Sequence, residues 1–142
     1  MSRKKLTEKT KLSNKAEKLW KELIKLKATN RCELCRGDGR QFQMHIHHIE
    51  RKQSHYMRSL LDNGICLCAN CHKWGIHDTS YSRQKEISDK LLRYKGQKFM
   101  DNLKRLKNNP PKITELELEE RIVMYEDMLQ KFYKDKTDKY NV

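Results

Sequence analysis

Two cysteine pairs, "CELC" at Cys32/Cys35 and "CANC" at Cys68/Cys71, stand 32 residues apart in a chain of 142. A two-residue spacer lets a tight turn aim both sulfurs at one point, and two such turns complete the donor set of a tetrahedral zinc. This constrains the fold strongly, because residues 36–67 must leave one point and return to it. Four thiolates close the coordination sphere, so the predicted zinc is structural, and its binding free energy becomes folding free energy. Such an anchor matters here. Apolar residues make up 36% of the chain, no more than charged ones, and mean hydropathy is -1.04. The expected fold is a single domain with a thin apolar core and one or two appended helices.

Disulfides are the competing use of cysteine. The opening "MSRKKLTEKTKLSNK" has no apolar segment of the kind a signal peptide needs, and no stretch approaches the ~18 apolar residues of a membrane span. The expected compartment is therefore the cytoplasm, where thiols stay reduced. Cys66, two residues before Cys68, is expected to be a small buried hydrophobe rather than a ligand.

The formal charge is +13 and the pI about 9.6. An excess of this size points to a polyanionic partner. Nucleic acid is the first choice. An anionic membrane surface ranks second, because no strongly apolar amphipathic face opens the chain, and no membrane association is expected.

Periodicity divides the chain into four parts. Residues 1–12 read as a basic arm. Residues 13–30 read as a helix capped by Ser13, with Ala16, Leu19, Trp20, Leu23, Ile24 and Leu26 on its apolar face and its stop near "ATNR". Residues 31–79 form the core. Within it "QFQMHIHHIE" alternates as a strand, with Phe42, Met44 and Ile46 on one face and Gln43, His45 and His47 on the other. "DNG" at 62–64 is a turn signal, "ICLC" a second strand, and "ANCHKW" the start of a helix weakened by Gly75. Residues 80–142 form a helical extension. It is interrupted near Gly96 and again at "NNPP", then resumes behind a Thr114–Glu117 capping box with Ile122, Tyr125, Leu129 and Phe132 on one stripe. The last helix is rich in acid, so it reads as a packing surface or a site for a protein partner, not as a DNA surface. The fold class is α+β: a small zinc-bound ββα core flanked by an N-terminal helix and C-terminal helices.

All six histidines fall within 33 consecutive positions, 45 to 77. Together with "CELC", "HHIERKQ", "DNGICLCANCH" and "WGIHD", their order resembles the HNH endonuclease family, and most of all its small zinc-bearing phage and prophage members. The likeness covers residues 31–78, about a third of the chain. It implies a ββα-metal core in which His47 and His72 hold one catalytic divalent cation (Mg²⁺, Mn²⁺, Ni²⁺ or Zn²⁺). It implies that His48 is the general base acting on water and that Asn63 holds the loop and orients the histidine strand. The products would carry 5′-phosphate and 3′-hydroxyl ends.

Several points stay open at this stage. In a regular strand His47 and His48 face opposite ways, so either the strand bends or ends there or the phosphate sits over its terminus. His45 shares a face with His47 and competes for the ligand role. His77, five positions after His72, is a further candidate ligand if the backbone deforms at Gly75. His55 reads as a surface residue, Trp20 as core, and Trp74 as packing on the zinc knuckle. Arg51 and Arg58 are candidate DNA phosphate contacts. The leading expectation is a metal-dependent DNA endonuclease with DNA as substrate. A zinc-bearing DNA-binding protein without catalysis is the alternative. A scaffold that recruits a protein through its C-terminal helices is compatible with either.

Overall fold

The computed structural model describes residues 5–39, 42–51, 53–72 and 81–140. Trp74, Gly75 and His77 lie outside these residues. The architecture is α+β and mostly helical. Helix α1 (Glu8–Lys27) precedes strand β1 (Met44–His48), the single-turn helix α2 (His55–Arg58), strand β2 (Gly64–Cys68), the short α3 (Ala69–Cys71), and then α4 (Tyr81–Lys95), α5 (Gln97–Asn108) and α6 (Glu115–Tyr140). Among the described residues no helix is long and apolar enough to cross a membrane.

Helix α1 begins earlier than its apolar pattern suggests, and this corrects the expected arm of residues 1–12. The cap is Thr7, whose hydroxyl accepts the Thr10 N–H at 3.2 Å, with Glu8 in the first turn. Ser13 is no cap but a fully buried helical position. The extra turn carries Leu12 onto a cluster of Ala16, Ile113, Leu118 and Ile122. At the other end, Thr29 and Asn30 adopt left-handed conformations (φ 54° each), which stops the helix before the first cysteine knuckle.

The two strands pair antiparallel, with Met44 opposite Cys68, Ile46 opposite Cys66 and His48 opposite Gly64. Every residue of β2 is buried, because the sheet is covered on both faces. On one face Cys66, Met44 and Ile46 pack against Trp20, Leu23 and Ile24 of α1 and Tyr125 and Leu129 of α6. On the other face Ile65 and Leu67 join Cys32, Cys68, Leu91 of α4 and Met100 of α5. Burying an apolar side chain such as these contributes on the order of 2–3 kcal/mol. Cys66 thus fills the first core as a small hydrophobe, and burial pushes its thiol up to about 11. Glu33 ties the first knuckle to both layers. Its carboxylate accepts the Cys66 N–H at 2.6 Å and the Tyr94 hydroxyl at 2.8 Å.

Gly64 shows why the "DNG" stretch contains glycine. The residue is extended (φ -123°), so no turn demands it. The demand comes from α1, since a Cβ on Gly64 would lie 2.7 Å from Trp20 Cζ2 and 2.8 Å from Ile24 Cδ1. Only a residue without a side chain lets β2 approach the helix this closely. Gly64→Ala should therefore destabilise the fold by about 1–3 kcal/mol through overpacking. Thermal unfolding of the variant checks this, and an unchanged melting temperature would show that Trp20 yields freely.

Gly96, by contrast, sits at φ 92° and separates α4 from α5. The Thr114 hydroxyl accepts the Glu117 N–H at 3.1 Å and starts α6, with Leu118, Ile122, Tyr125 and Leu129 buried along it.

Candidate metal centre and adjacent histidine site

The four cysteine sulfurs converge. Among the described residues, Cys32, Cys35, Cys68 and Cys71 form the one group of three or more His, Cys, Asp or Glu residues able to hold a metal ion, with ligand atoms all within 4.8 Å of one another. Each knuckle makes the same local bond. The Cys35 N–H donates to Cys32 Sγ at 3.5 Å, and the Cys71 N–H donates to Cys68 Sγ at 3.5 Å. Cys35 Sγ and Cys68 Sγ are 3.6 Å apart, close to the roughly 3.8 Å edge of a tetrahedron with ~2.3 Å metal–sulfur bonds. The donor set therefore fits a tetrahedral cation such as zinc. Without a cation the thiols must share protons. A hydrogen bond from Cys71 holds Cys32 down to about 4, and the same bond pushes Cys71 upward. Burial raises Cys35. A divalent cation removes this conflict by stabilising several thiolates together.

The second knuckle leads directly into His72. Its Nδ1 lies 3.0 Å from His45 Nδ1, and the His47 and His72 rings are 5.0 Å apart between centroids. His45, His47 and His72 therefore gather on the sheet face that carries Ile65 and Leu67. His45 makes the direct nitrogen contact to His72; its strand alternation with His47 was the only sequence signal for this. His45 Nε2 is buried with no hydrogen-bond partner.

His48 points the other way. The strand pairs regularly through His48 and ends there, so of the alternatives it ends rather than bends. The His48 ring stacks on Trp20, with centroids 4.3 Å apart and planes at 17°, and Nε2 donates to the Arg58 carbonyl at 2.8 Å. Trp20 is core, as expected, and also the floor beneath this imidazole. Its Nε1–H donates to the Leu60 carbonyl at 2.8 Å.

Asn63 is fully buried and satisfied at both ends of its amide. Its Oδ1 accepts the Glu50 N–H at 2.8 Å, while Nδ2 donates to the carbonyls of Glu50 (3.0 Å) and Met57 (3.1 Å). Its own carbonyl accepts the Ile49 N–H at 3.0 Å. These bonds close the 49–63 loop directly after the histidine strand. Lys107 of α5 reaches the Glu50 carboxylate at 3.4 Å.

The two arginines part company. Arg51 is exposed just past β1. Arg58 donates from its Nε to the carboxylate of Glu17, which is 5% exposed in α1, while its own side chain stays 26% exposed. A buried carboxylate needs a partner, and this one takes the guanidinium. His55 opens α2 instead of lying on a loop, and burial, then Lys9 and Arg58, lowers its pKa.

Comparison with protein-family models, with curated proteins and with solved structures finds no match to this chain.

Proposed function

We propose that this chain is a metal-dependent DNA endonuclease of the HNH type, built on a structural zinc. The observation that carries the reading is the pose of His48. Its ring is stacked on Trp20 and bonded to a loop carbonyl, and that loop is pinned by the buried Asn63. A basic module that only binds DNA has no need of a histidine oriented at both its face and its edge.

In this reading the zinc holds the two knuckles and so places His72. His45 Nδ1, 3.0 Å from His72 Nδ1, orients the His72 ring, and His72 would hold a divalent cation together with His47. His77, outside the described residues, is a further candidate ligand. The cation, when bound, would stabilise charge on the phosphate and on the departing 3′-oxygen. Donation from His48 Nε2 to the Arg58 carbonyl puts the neutral ring's proton on Nε2, so Nδ1 carries the lone pair that takes a proton from the attacking water. His47 and His48 act from opposite sides of the strand, which seats the phosphate over the strand end at Glu50 and Arg51. Arg51 contacts the backbone there. The other basic residues supply affinity without sequence preference. The acidic α6 holds eight of the nineteen Asp and Glu residues and faces away from DNA.

The test is supercoiled plasmid with zinc-loaded protein in Mg²⁺, Mn²⁺, Ni²⁺ or Zn²⁺, against a chelator, with protein-bound zinc measured throughout. Expected are nicks that appear only with added cation and that DNA ligase reseals, as 5′-phosphate and 3′-hydroxyl ends require. Plasmid that is bound and retarded but uncut in every cation would leave the non-catalytic DNA-binding reading in its place.

A further inference from the structure

The segment from Tyr56 to Leu60 presents an unusual pattern. Its five consecutive carbonyls each accept a hydrogen bond from a side chain elsewhere in the fold. In order, the donors are Arg121 Nη1 at 2.9 Å, Asn63 Nδ2 at 3.1 Å, His48 Nε2 at 2.8 Å, the Tyr125 hydroxyl, and Trp20 Nε1 at 2.8 Å. The helical part of this segment, α2, is four residues long. A single turn has almost no stability of its own, since nucleation costs more than one hydrogen bond returns. Whatever fixes the Arg58 carbonyl, and with it the His48 ring, must come from outside.

Two helices supply it. From α1 come Trp20, under the ring and bonded to Leu60, and Glu17, paired with the Arg58 side chain. From α6 come Arg121, which also donates to Ser59 Oγ at 3.0 Å and lies over the Tyr56 ring at 5.1 Å, and Tyr125. Ser59 is fully buried. The Arg58 carbonyl and the Ser59 nitrogen belong to one rigid peptide plane. Holding Ser59 through its hydroxyl and its own carbonyl anchors the Cα at which this plane ends and so restricts the directions in which the Arg58 carbonyl can point. Arg121 stands out in the sequence too, as the single basic residue between Glu115 and Asp127.

We infer that α6 is part of the active-site architecture: Arg121 and Tyr125 are positioning residues for His48, acting through the Ser59 peptide, with α1 closing the clamp from the other side. This rests on the endonuclease reading and deepens it. The C-terminal helix, on sequence grounds a packing surface or a place for a partner, acquires a defined task within its own chain.

The experiment uses full-length, zinc-loaded protein with two substitutions. Tyr125→Phe keeps the ring in the core and deletes only the hydroxyl, while Arg121→Met keeps length and removes the fork. Plasmid cleavage is measured as kcat and KM well below each variant's melting temperature. The His48 ring Nε2–H resonance is followed by ¹⁵N-resolved NMR. A displaced reactive group should cost about ten- to a hundredfold in kcat with KM for DNA unmoved, and the His48 resonance should shift or be lost to exchange in both variants. Unchanged kcat and an unaltered resonance in correctly folded Tyr125→Phe would overturn the inference, as would a loss confined to KM. If wild type cuts no DNA in any cation while both variants still perturb the resonance, the clamp stands and the endonuclease reading falls.

Discussion

Cys32→Ser should fail to fold, and prolonged chelation should unfold the wild-type protein. Cys32 is fully buried, and with Cys68 it forms part of the second core. Serine offers an alkoxide-type ligand that zinc binds far less well, and it puts a hydroxyl among apolar neighbours. Structural zinc is worth about 10–16 kcal/mol of apparent binding free energy, which equals or exceeds the ~5–15 kcal/mol total stability of an ordinary domain. Among its described residues, the regular structure of the 32-residue span between the knuckles is limited to one two-stranded sheet and two single-turn helices, so a metal at the cysteines would tie its two ends. Circular dichroism melting with zinc quantified per chain provides the check. A Cys32→Ser protein with the wild-type melting temperature would show that packing alone suffices. The effect should spread to the histidines, since Cys71 directly precedes His72, so partial zinc loss should abolish any cleavage before it abolishes helix content.

His48→Gln should bind DNA and zinc as the wild type does and cleave about 10²–10⁴-fold more slowly, the range a single general base contributes. Glutamine is the informative choice because the imidazole has packing and hydrogen-bond contacts in the structure and, in the proposed reading, a second duty as the base. Its amide can still donate to the Arg58 carbonyl and lie flat on Trp20, so the loop and the core stay intact. It cannot accept a proton near neutral pH. Alanine would confuse the two duties, since it also empties the space over the indole and leaves the carbonyl unbonded. Single-turnover plasmid cleavage read beside a DNA-retardation assay separates chemistry from binding. Cleavage by His48→Gln at the wild-type rate would remove the base assignment and turn attention to the His45–His47–His72 face.

Much of this arrangement was legible in the residues. The cysteine spacing pointed to a converging donor set because reach is a local property of two short turns. The alternation of "QFQMHIHHIE" and the run "ICLC" marked both strands, and "NNPP", Thr114 and Gly96 marked the helix breaks, all by rules that act within a few residues. The start of α1 was misplaced because Ser13 fits a local cap as well as Thr7 does. What chose Thr7 is the burial of Leu12 against residues 113–122, a distant part of the chain. Gly64 looked like a turn glycine and proved to be a contact glycine for the same kind of reason.

The residues alone determined a basic α+β chain with four cysteines spaced to converge on a site able to hold a metal ion, and with three of its six imidazoles on one strand and a fourth after one knuckle. Only the tertiary structure decided which way each imidazole faces, that Arg58 is committed to Glu17, and that five carbonyls in a row are held by α1, α6 and the strand itself. The reason is physical. Strand pleat and knuckle turns are set by neighbouring dihedrals, whereas a carbonyl's partner and a buried carboxylate's counter-charge are set by packing between elements up to 66 residues apart, such as Ser59 and Tyr125.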